Sequence, residues 1–130
     1  MDNLEIDKQA YQDFAEGNIE GVVAIMHPEV EWHVSPGFPY VSGDGVVVGP
    51  QAVVQNVFAP ISEYYDGFTI DVQEFFGSGD KVVMVGYLTG VWKETGKRFK
   101  ANVVHVTTLK DGKMTHFFEA ADTGEIVGSA

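Results

Sequence analysis

The sequence predicts an α+β domain in which helices come first and a bent, mostly antiparallel sheet follows. Three observations carry that expectation. Apolar residues recur at helical spacing up to Met26 and again after Pro50. Beyond Phe68 the pattern becomes long β-branched and aromatic runs joined by short connections, Gly77-Ser78-Gly79-Asp80, Glu94-Thr95-Gly96-Lys97 and Asp111-Gly112. The last of these, Asp-Gly between apolar runs, is the strongest short hairpin signal, because a type I′ turn needs positive φ at both central residues.

Asp2 to Glu16 reads as a helix, with capping-box spacing of Asp2 and Glu5 and an i+4 stripe of Ile6, Ala10 and Phe14. Gly17 closes it, and Asn18 caps a second helix whose Ile19, Val22, Val23 and Met26 share one face. His27-Pro28 should end that helix. Val30 to Val34 alternates as a short strand, with Val30, Trp32 and Val34 on one side and Glu31 and His33 on the other. Phe38 to Gly49 reads as a glycine-rich loop or irregular hairpin at a pocket rim. Its Gly43–Gly49 stretch does not lead from a strand into a helix, as a dinucleotide fingerprint must.

Pro50 suits the first turn of a third helix that extends to Tyr64 or Tyr65, and Pro60 should kink or shorten it. Four strands follow: Phe68–Phe76, Lys81–Trp92, Arg98–Leu109 and Met114–Ala121. Both faces of Val82–Trp92 are largely apolar, which predicts a central strand, and Gly86 and Gly90 on one face permit a bend. Helices packed into the concave face of such a sheet leave a cavity. An outer face that also carries apolar residues predicts a homodimer through the sheet.

Length and composition set the outer limits. The chain has 130 residues and 45% hydrophobic content, which fits a single domain over residues 1–130. No run approaches the ~20 apolar residues of a membrane helix, and the acidic start is not that of a secretory signal. The absence of cysteine excludes a disulfide framework, thiol catalysis and cysteine-ligated zinc, and suits a cytoplasmic protein. Net charge is −11, and residues 1–80 hold one basic side chain against fourteen acidic ones. Such a field repels phosphate backbones and highly anionic substrates, so neither nucleic acid nor membrane is an expected partner.

The chemistry concentrates in Ala101 to Asp122. Pairing outward from Asp111-Gly112 sets Leu109 near Met114 and His105 roughly opposite Phe118, beside Glu119. An imidazole near a carboxylate among aromatics is what a proton-transfer site requires. A buried hydrogen bond that only holds the hairpin would use the same two residues. His33, His105, His116 and Glu119 lack HxxxH or His-x-His spacing, so no metal is expected. Asp122 suits either a second pocket acid or, better, a cap for a final turn at Thr123–Val127. Trp32, Tyr40, Phe58, Tyr87 and Phe118 are aromatics positioned to line a cavity, expected within the ~300–1,000 Å³ of ligand sites.

The order of elements, with Phe14-Ala-Glu-Gly-Asn-Ile-Glu-Gly-Val, His27-Pro-Glu-Val-Glu-Trp-His, Gly49-Pro-Gln-Ala-Val, His105, Asp111-Gly-Lys-Met and Glu119-Ala-Ala-Asp122, resembles the SnoaL-like branch of the nuclear transport factor 2-like superfamily. The resemblance covers nearly the whole chain. It implies a cone-shaped α+β fold around an apolar pocket, often dimeric through the sheet. Members include polyketide cyclases, ketosteroid isomerases, limonene epoxide hydrolases, dehydratases and catalytically silent binding proteins, so fold alone does not give function. Against the cyclases, His105 matches the histidine before the turn and Glu119 the acid/base aspartate after it, with one methylene more. Their pocket glutamine falls on Val103. The epoxide hydrolase triad is absent, its partners falling near Gly86 and Leu88. The isomerases' base falls near His33, and their oxyanion tyrosine and acid near Ala10 and Val104, with Tyr11 one residue off.

These readings converge on a small-molecule pocket protein. In the enzymatic form Glu119 is general acid/base, His105 its orienting partner, and His33 and Tyr40 further polar contacts, with no cofactor. The ligand would be an apolar oxygenated compound that is polyketide-, terpenoid- or steroid-like, and the reaction cyclisation, isomerisation or dehydration. The alternative is a non-catalytic binding or interaction module.

Overall fold

Asp2 starts the first helix by accepting the Glu5 N–H at 2.9 Å. That helix, α1, spans Asn3–Ala15, and Gly17 at φ 76° ends it. Asn18 caps α2 (Ile19–Ala24) through the Gly21 N–H at 3.1 Å. The computed structural model describes residues 2–130. Among these, no helix is long and apolar enough to cross a membrane.

His27-Pro28 does not end α2. Strand β1 already begins at Met26 and runs to His33. Pro28 is tolerated there because the pairing of β1 with the last strand is irregular between Met26 and Glu31, so no regular ladder bond is lost. The Phe38–Gly49 segment contributes a short strand, β2 (Val46–Val48), antiparallel to β1. Then α3 (Pro50–Val53), a π-helical turn (Val54–Phe58) and α4 (Ala59–Tyr64) follow without a break. The Ala59 N–H reaches back to the Val54 carbonyl, one residue farther than in an α-helix. Pro60, which has no N–H to give, is thus absorbed as a widened turn.

The remaining strands are β3 (Tyr65–Ser78), β4 (Lys81–Trp92), β5 (Arg98–Lys110) and β6 (Lys113–Ala121). The sheet order is β2-β1-β6-β5-β4-β3. All neighbours are antiparallel except β1 and β6, which are parallel. β4 is thus an interior strand, next to the β3 edge. Opposite Gly86 the β3–β4 register slips between Val72 and Glu74. A Cβ on Gly86 would collide with the Asp71 carbonyl oxygen, so only glycine permits this curl. Asp122 accepts the Glu125 N–H at 3.2 Å to cap α5 (Thr123–Gly128), and the Trp92 indole N–H donates to the Ile126 carbonyl at 2.9 Å.

Strand alternation separates two faces. The inner face, with Val30, Trp32, Met84, Leu88, Val103 and Phe117, packs against the helices as the core. The outer face carries Glu31, His33, Tyr87, His116 and Phe118, and retains exposed apolar groups, with Val48 58% and Phe118 52% exposed.

Asp111 and Gly112 take φ of 52° and 77°, as a type I′ turn requires. From Leu109↔Met114 the β5–β6 ladder skips one residue, so that Thr108 pairs with His116 and leaves Thr115 as a bulge. The consequence is one step of register: His105 lies opposite Glu119, and Val106 opposite Phe118. Regular pairing would have set His105 against Phe118.

Candidate functional site

Helix α1 presents Asp7, Ala10, Tyr11 and Phe14 at i, i+3, i+4 and i+7 to the concave sheet face. With Trp32, Tyr40, Phe58, His105 and Glu119 they line a largely apolar cavity of about 70 Å³ that is partly open to solvent. That is well below the ~300–1,000 Å³ of typical ligand sites. The reason is aromatic filling of the cone. Trp32 stacks on Phe117 at 3.8 Å between ring centroids, and Phe58 meets both Trp32 and Phe14 at 5.6 Å.

One hydrogen-bonded chain crosses this cavity. The Tyr11 hydroxyl lies 2.7 Å from His105 Nδ1, and His105 Nε2 lies 2.9 Å from Glu119 Oε2. Burial first, then the charges of Asp7 and Glu119, push the Tyr11 hydroxyl well above its ordinary pKa, so it stays protonated. With Tyr11 donating to Nδ1, a neutral His105 carries its proton on Nε2 and donates it to the Glu119 carboxylate. In the alternative arrangement a protonated Glu119 donates to Nε2, and Nδ1–H donates to the tyrosine oxygen. An imidazolium that donates Nδ1–H to the tyrosine oxygen and Nε2–H to the carboxylate is a third, so the chain has three self-consistent proton patterns, and none of them engages Glu119 Oε1.

Local structure holds the acid in place. Ser35, at the end of β1, donates to the Glu119 carbonyl at 2.8 Å and accepts the Ala121 N–H at 2.9 Å, pinning both sides of this segment. The Glu119 side chain is 12% exposed and His105 only 4%. Phe117 closes one side of the imidazole at 4.6 Å between centroids. Tyr40 also faces the cavity. Burial, then Tyr65 and Glu119, raise its hydroxyl far beyond the usual tyrosine range.

The residues anticipated from sequence divide cleanly. His105, Glu119, Trp32, Tyr40 and Phe58 meet at the cavity. His33, Tyr87 and Phe118 do not, because strand alternation turns them to the outer face. There His33 and His116 flank Glu31 at 3.8 and 3.0 Å, His33 sits against the Phe118 ring, and Tyr87 lies under the Lys100 ammonium at 4.2 Å. Asp122 is the exposed cap of α5 and is absent from this cavity, but with His33, Phe118 and Glu119 it lines a second, more open depression of about 540 Å³ on the outer side of the sheet. Thus His33, His105 and His116 do not converge on one point.

Two cavity residues are not among the candidates that the sequence offers for the site. Tyr11 completes the chain to Glu119, and Asp7 is a buried acid one helical turn away. The signal that finds them is their own stripe with Ala10 and Phe14, which runs one residue later than Ile6, Ala10 and Phe14. Tyr11→Phe removes the only O–H directed at His105 Nδ1 and leaves that nitrogen without its partner. We expect about 1–3 kcal/mol lower stability in urea unfolding, with the fold retained by near-ultraviolet circular dichroism.

A family profile described as a SnoaL-like domain matches residues 8–117, most of the chain. The chain belongs to the SnoaL-like family. Solved structures agree with this assignment. A nuclear transport factor 2-like protein from Burkholderia thailandensis is 29% identical, with 99% of this chain and 97% of that one covered and a TM-score of 0.92. TerC, co-crystallised with polyporic acid, is 28% identical over 98% and 96% of the two chains, with a TM-score of 0.86. IdmH, described as a putative polyketide cyclase from Streptomyces antibioticus, shares the fold at 16% identity, with 99% and 98% covered and a TM-score of 0.83. No curated protein matches the sequence. Within this SnoaL-like fold the cavity opens on the concave face of the curled, mostly antiparallel sheet, under α1 and the helical segment from Pro50 to Tyr64.

Proposed function

We propose that this SnoaL-like protein is a cofactor-free acid/base enzyme of the cyclase, isomerase or dehydratase type, acting on an apolar oxygenated compound. The observation that carries the reading is the Tyr11–His105–Glu119 chain, which ends at a carboxylate with one free oxygen in an apolar cavity. Glu119 Oε1 takes a proton from a carbon beside a carbonyl, and the electron pair moves onto the carbonyl oxygen. The same carboxyl returns the proton at another position, or to a leaving oxygen. His105 Nε2–H holds the carboxylate throughout, and Tyr11 holds the imidazole. That the similar TerC was crystallised with polyporic acid supports an organic ligand of this general kind.

The test needs no knowledge of the natural substrate. Small neutral ketones are incubated with the protein in heavy water, and deuterium entry beside the carbonyl is followed by NMR. Exchange with wild type that is lost in Glu119→Gln supports the enzyme. A cavity of only about 70 Å³ favours a second reading, a non-catalytic binding module. Absence of exchange with every ketone, together with an intact co-purified compound in native mass spectra, would select that module instead.

The outer sheet face supports a homodimer. Val46, Val48 and Phe118 are exposed there, beside the half-buried Val83, Val85, Val104 and Val106. Sedimentation at micromolar concentration is expected to give twice the 14.2 kDa chain mass. Phe118→Asp is expected to shift the protein toward monomer without affecting the cavity. A wild type that sediments only as monomer would refute the dimer.

A further inference from the structure

The acid/base chain leaves one cavity group unused. Asp7 is 1% exposed and lines the cavity, yet its Oδ2 makes no hydrogen bond. The Thr107 hydroxyl on β5, also fully buried, is its polar neighbour, close enough to stabilise the carboxylate slightly but not in hydrogen-bond geometry with it or with any other group among the described residues. A buried polar atom without a partner costs about 1–3 kcal/mol, and native proteins keep few of them. On α1, Asp7 stands four residues before Tyr11, which puts the two side chains on the same helical face about 6 Å apart along the axis. The cavity is therefore bipolar. One pole is the Glu119 carboxylate held by His105, the other is the Asp7 carboxyl, the Tyr11 hydroxyl lies within reach of both charges, and apolar side chains make up most of the remaining wall.

We infer that Asp7 is a ligand-recognition group that hydrogen-bonds a second oxygen substituent of the bound molecule. The proposal rests on the pocket reading above and narrows its ligand class. The preferred ligand is uncharged and carries two oxygens across an apolar skeleton, one presented to Glu119 and the other, an acceptor such as a carbonyl, to Asp7. Burial raises the Asp7 pKa from 3.8 to about 7, with the Thr107 hydroxyl offsetting a little of that rise. Below about pH 7 the carboxyl therefore keeps an O–H to donate. An anionic ligand is disfavoured by Glu119 in the same cavity and by the net charge of −11.

The test uses three probes: 4-hydroxyacetophenone with two oxygens, 4-ethylphenol with only the hydroxyl, and ethylbenzene with none. Binding is read by fluorescence of Trp32 and by ligand-observed NMR, in wild type, Asp7→Asn, Asp7→Leu and Glu119→Gln. The two-oxygen probe is expected to bind wild type best and to lose roughly tenfold or more on Asp7→Leu, since one hydrogen bond in a buried pocket is worth about that much. Asp7→Asn keeps an N–H donor and should restore most of that loss, while 4-ethylphenol affinity stays within about threefold among wild type and the two Asp7 variants.

Affinity against pH gives a second readout should Asp7→Leu fail to fold. Ionisation of the probe's own phenol above about pH 8 weakens binding to both proteins alike, so wild type should lose affinity at lower pH and more steeply than Asp7→Asn as Asp7 gives up its proton. Tyr11, Tyr40, His105 and Glu119 also face the cavity but are common to both proteins, so the difference isolates Asp7. Equal affinity of wild type and Asp7→Leu for the two-oxygen probe, or identical pH profiles for wild type and Asp7→Asn, overturns the proposal and leaves the pocket reading standing. If no probe binds wild type by either method, both fall together.

Discussion

Glu119→Gln is expected to lower turnover by ~10²–10⁴-fold, the usual worth of a positioned general acid/base. The substitution keeps shape and removes only the charge. A glutamine oxygen can still accept from His105 Nε2–H, which now spans 2.9 Å to Glu119 Oε2, and Ser35 still holds the backbone of the segment. Thermal melts should therefore stay close to wild type while ligand binding changes. If the carboxylate served only to anchor His105, the opposite would follow: a stability loss of about 1–3 kcal/mol with ligand affinity unchanged. A variant that melts well below wild type and binds normally would count against a catalytic Glu119.

The second large effect concerns stability against pH. In the unfolded chain Asp7 loses its proton near 3.8, and in the folded protein only at about 7. Between those values the native state holds a proton that the unfolded chain has released, so stability falls as pH rises through the window. At ~1.4 kcal/mol per unit, the rise corresponds to on the order of 4 kcal/mol, present below pH 3.8 and gone above about 7. Asp7→Asn has no proton to lose. Its urea midpoint should match wild type near pH 4 and exceed it clearly at pH 8. A difference between the two proteins that does not vary with pH would show that the Asp7 carboxyl is not a buried, protonated acid.

Much of this architecture could be read from local chemistry. The caps Asp2, Asn18 and Asp122, the Pro50 helix start and the Asp111-Gly112 turn each depend on one residue meeting one backbone requirement, and such requirements are visible in sequence. Three features were hidden because they depend on distant partners. The early start of β1 at Met26 is masked by Pro28, harmless only because β6 pairs irregularly beside it. The bulge at Thr115 carries no glycine or proline to announce it, yet it brings Glu119 opposite His105. Asp7 looks like a solvated charge on a helix and becomes a buried acid only once β5 covers it. Aromatic character alone points Tyr87 and Phe118 toward the cavity, but strand parity overrides character.

The parallel pairing of β1 with β6 bears on how the chain assembles. β6 follows every other strand in sequence, yet it sits between β1 and β5 in the middle of the sheet. Without it, the sheet order divides into a β2–β1 pair and a β5–β4–β3 set, each with an unpaired edge where β6 belongs. Bringing Trp32 beside Phe117 closes a loop of more than half the chain, a slow step by contact-order arguments. Pausing or truncation before Lys113 would leave two sticky edges and no Glu119. Closure of the sheet and delivery of the acid are therefore coupled, and a chain that lacks β6 lacks the Tyr11–His105–Glu119 arrangement.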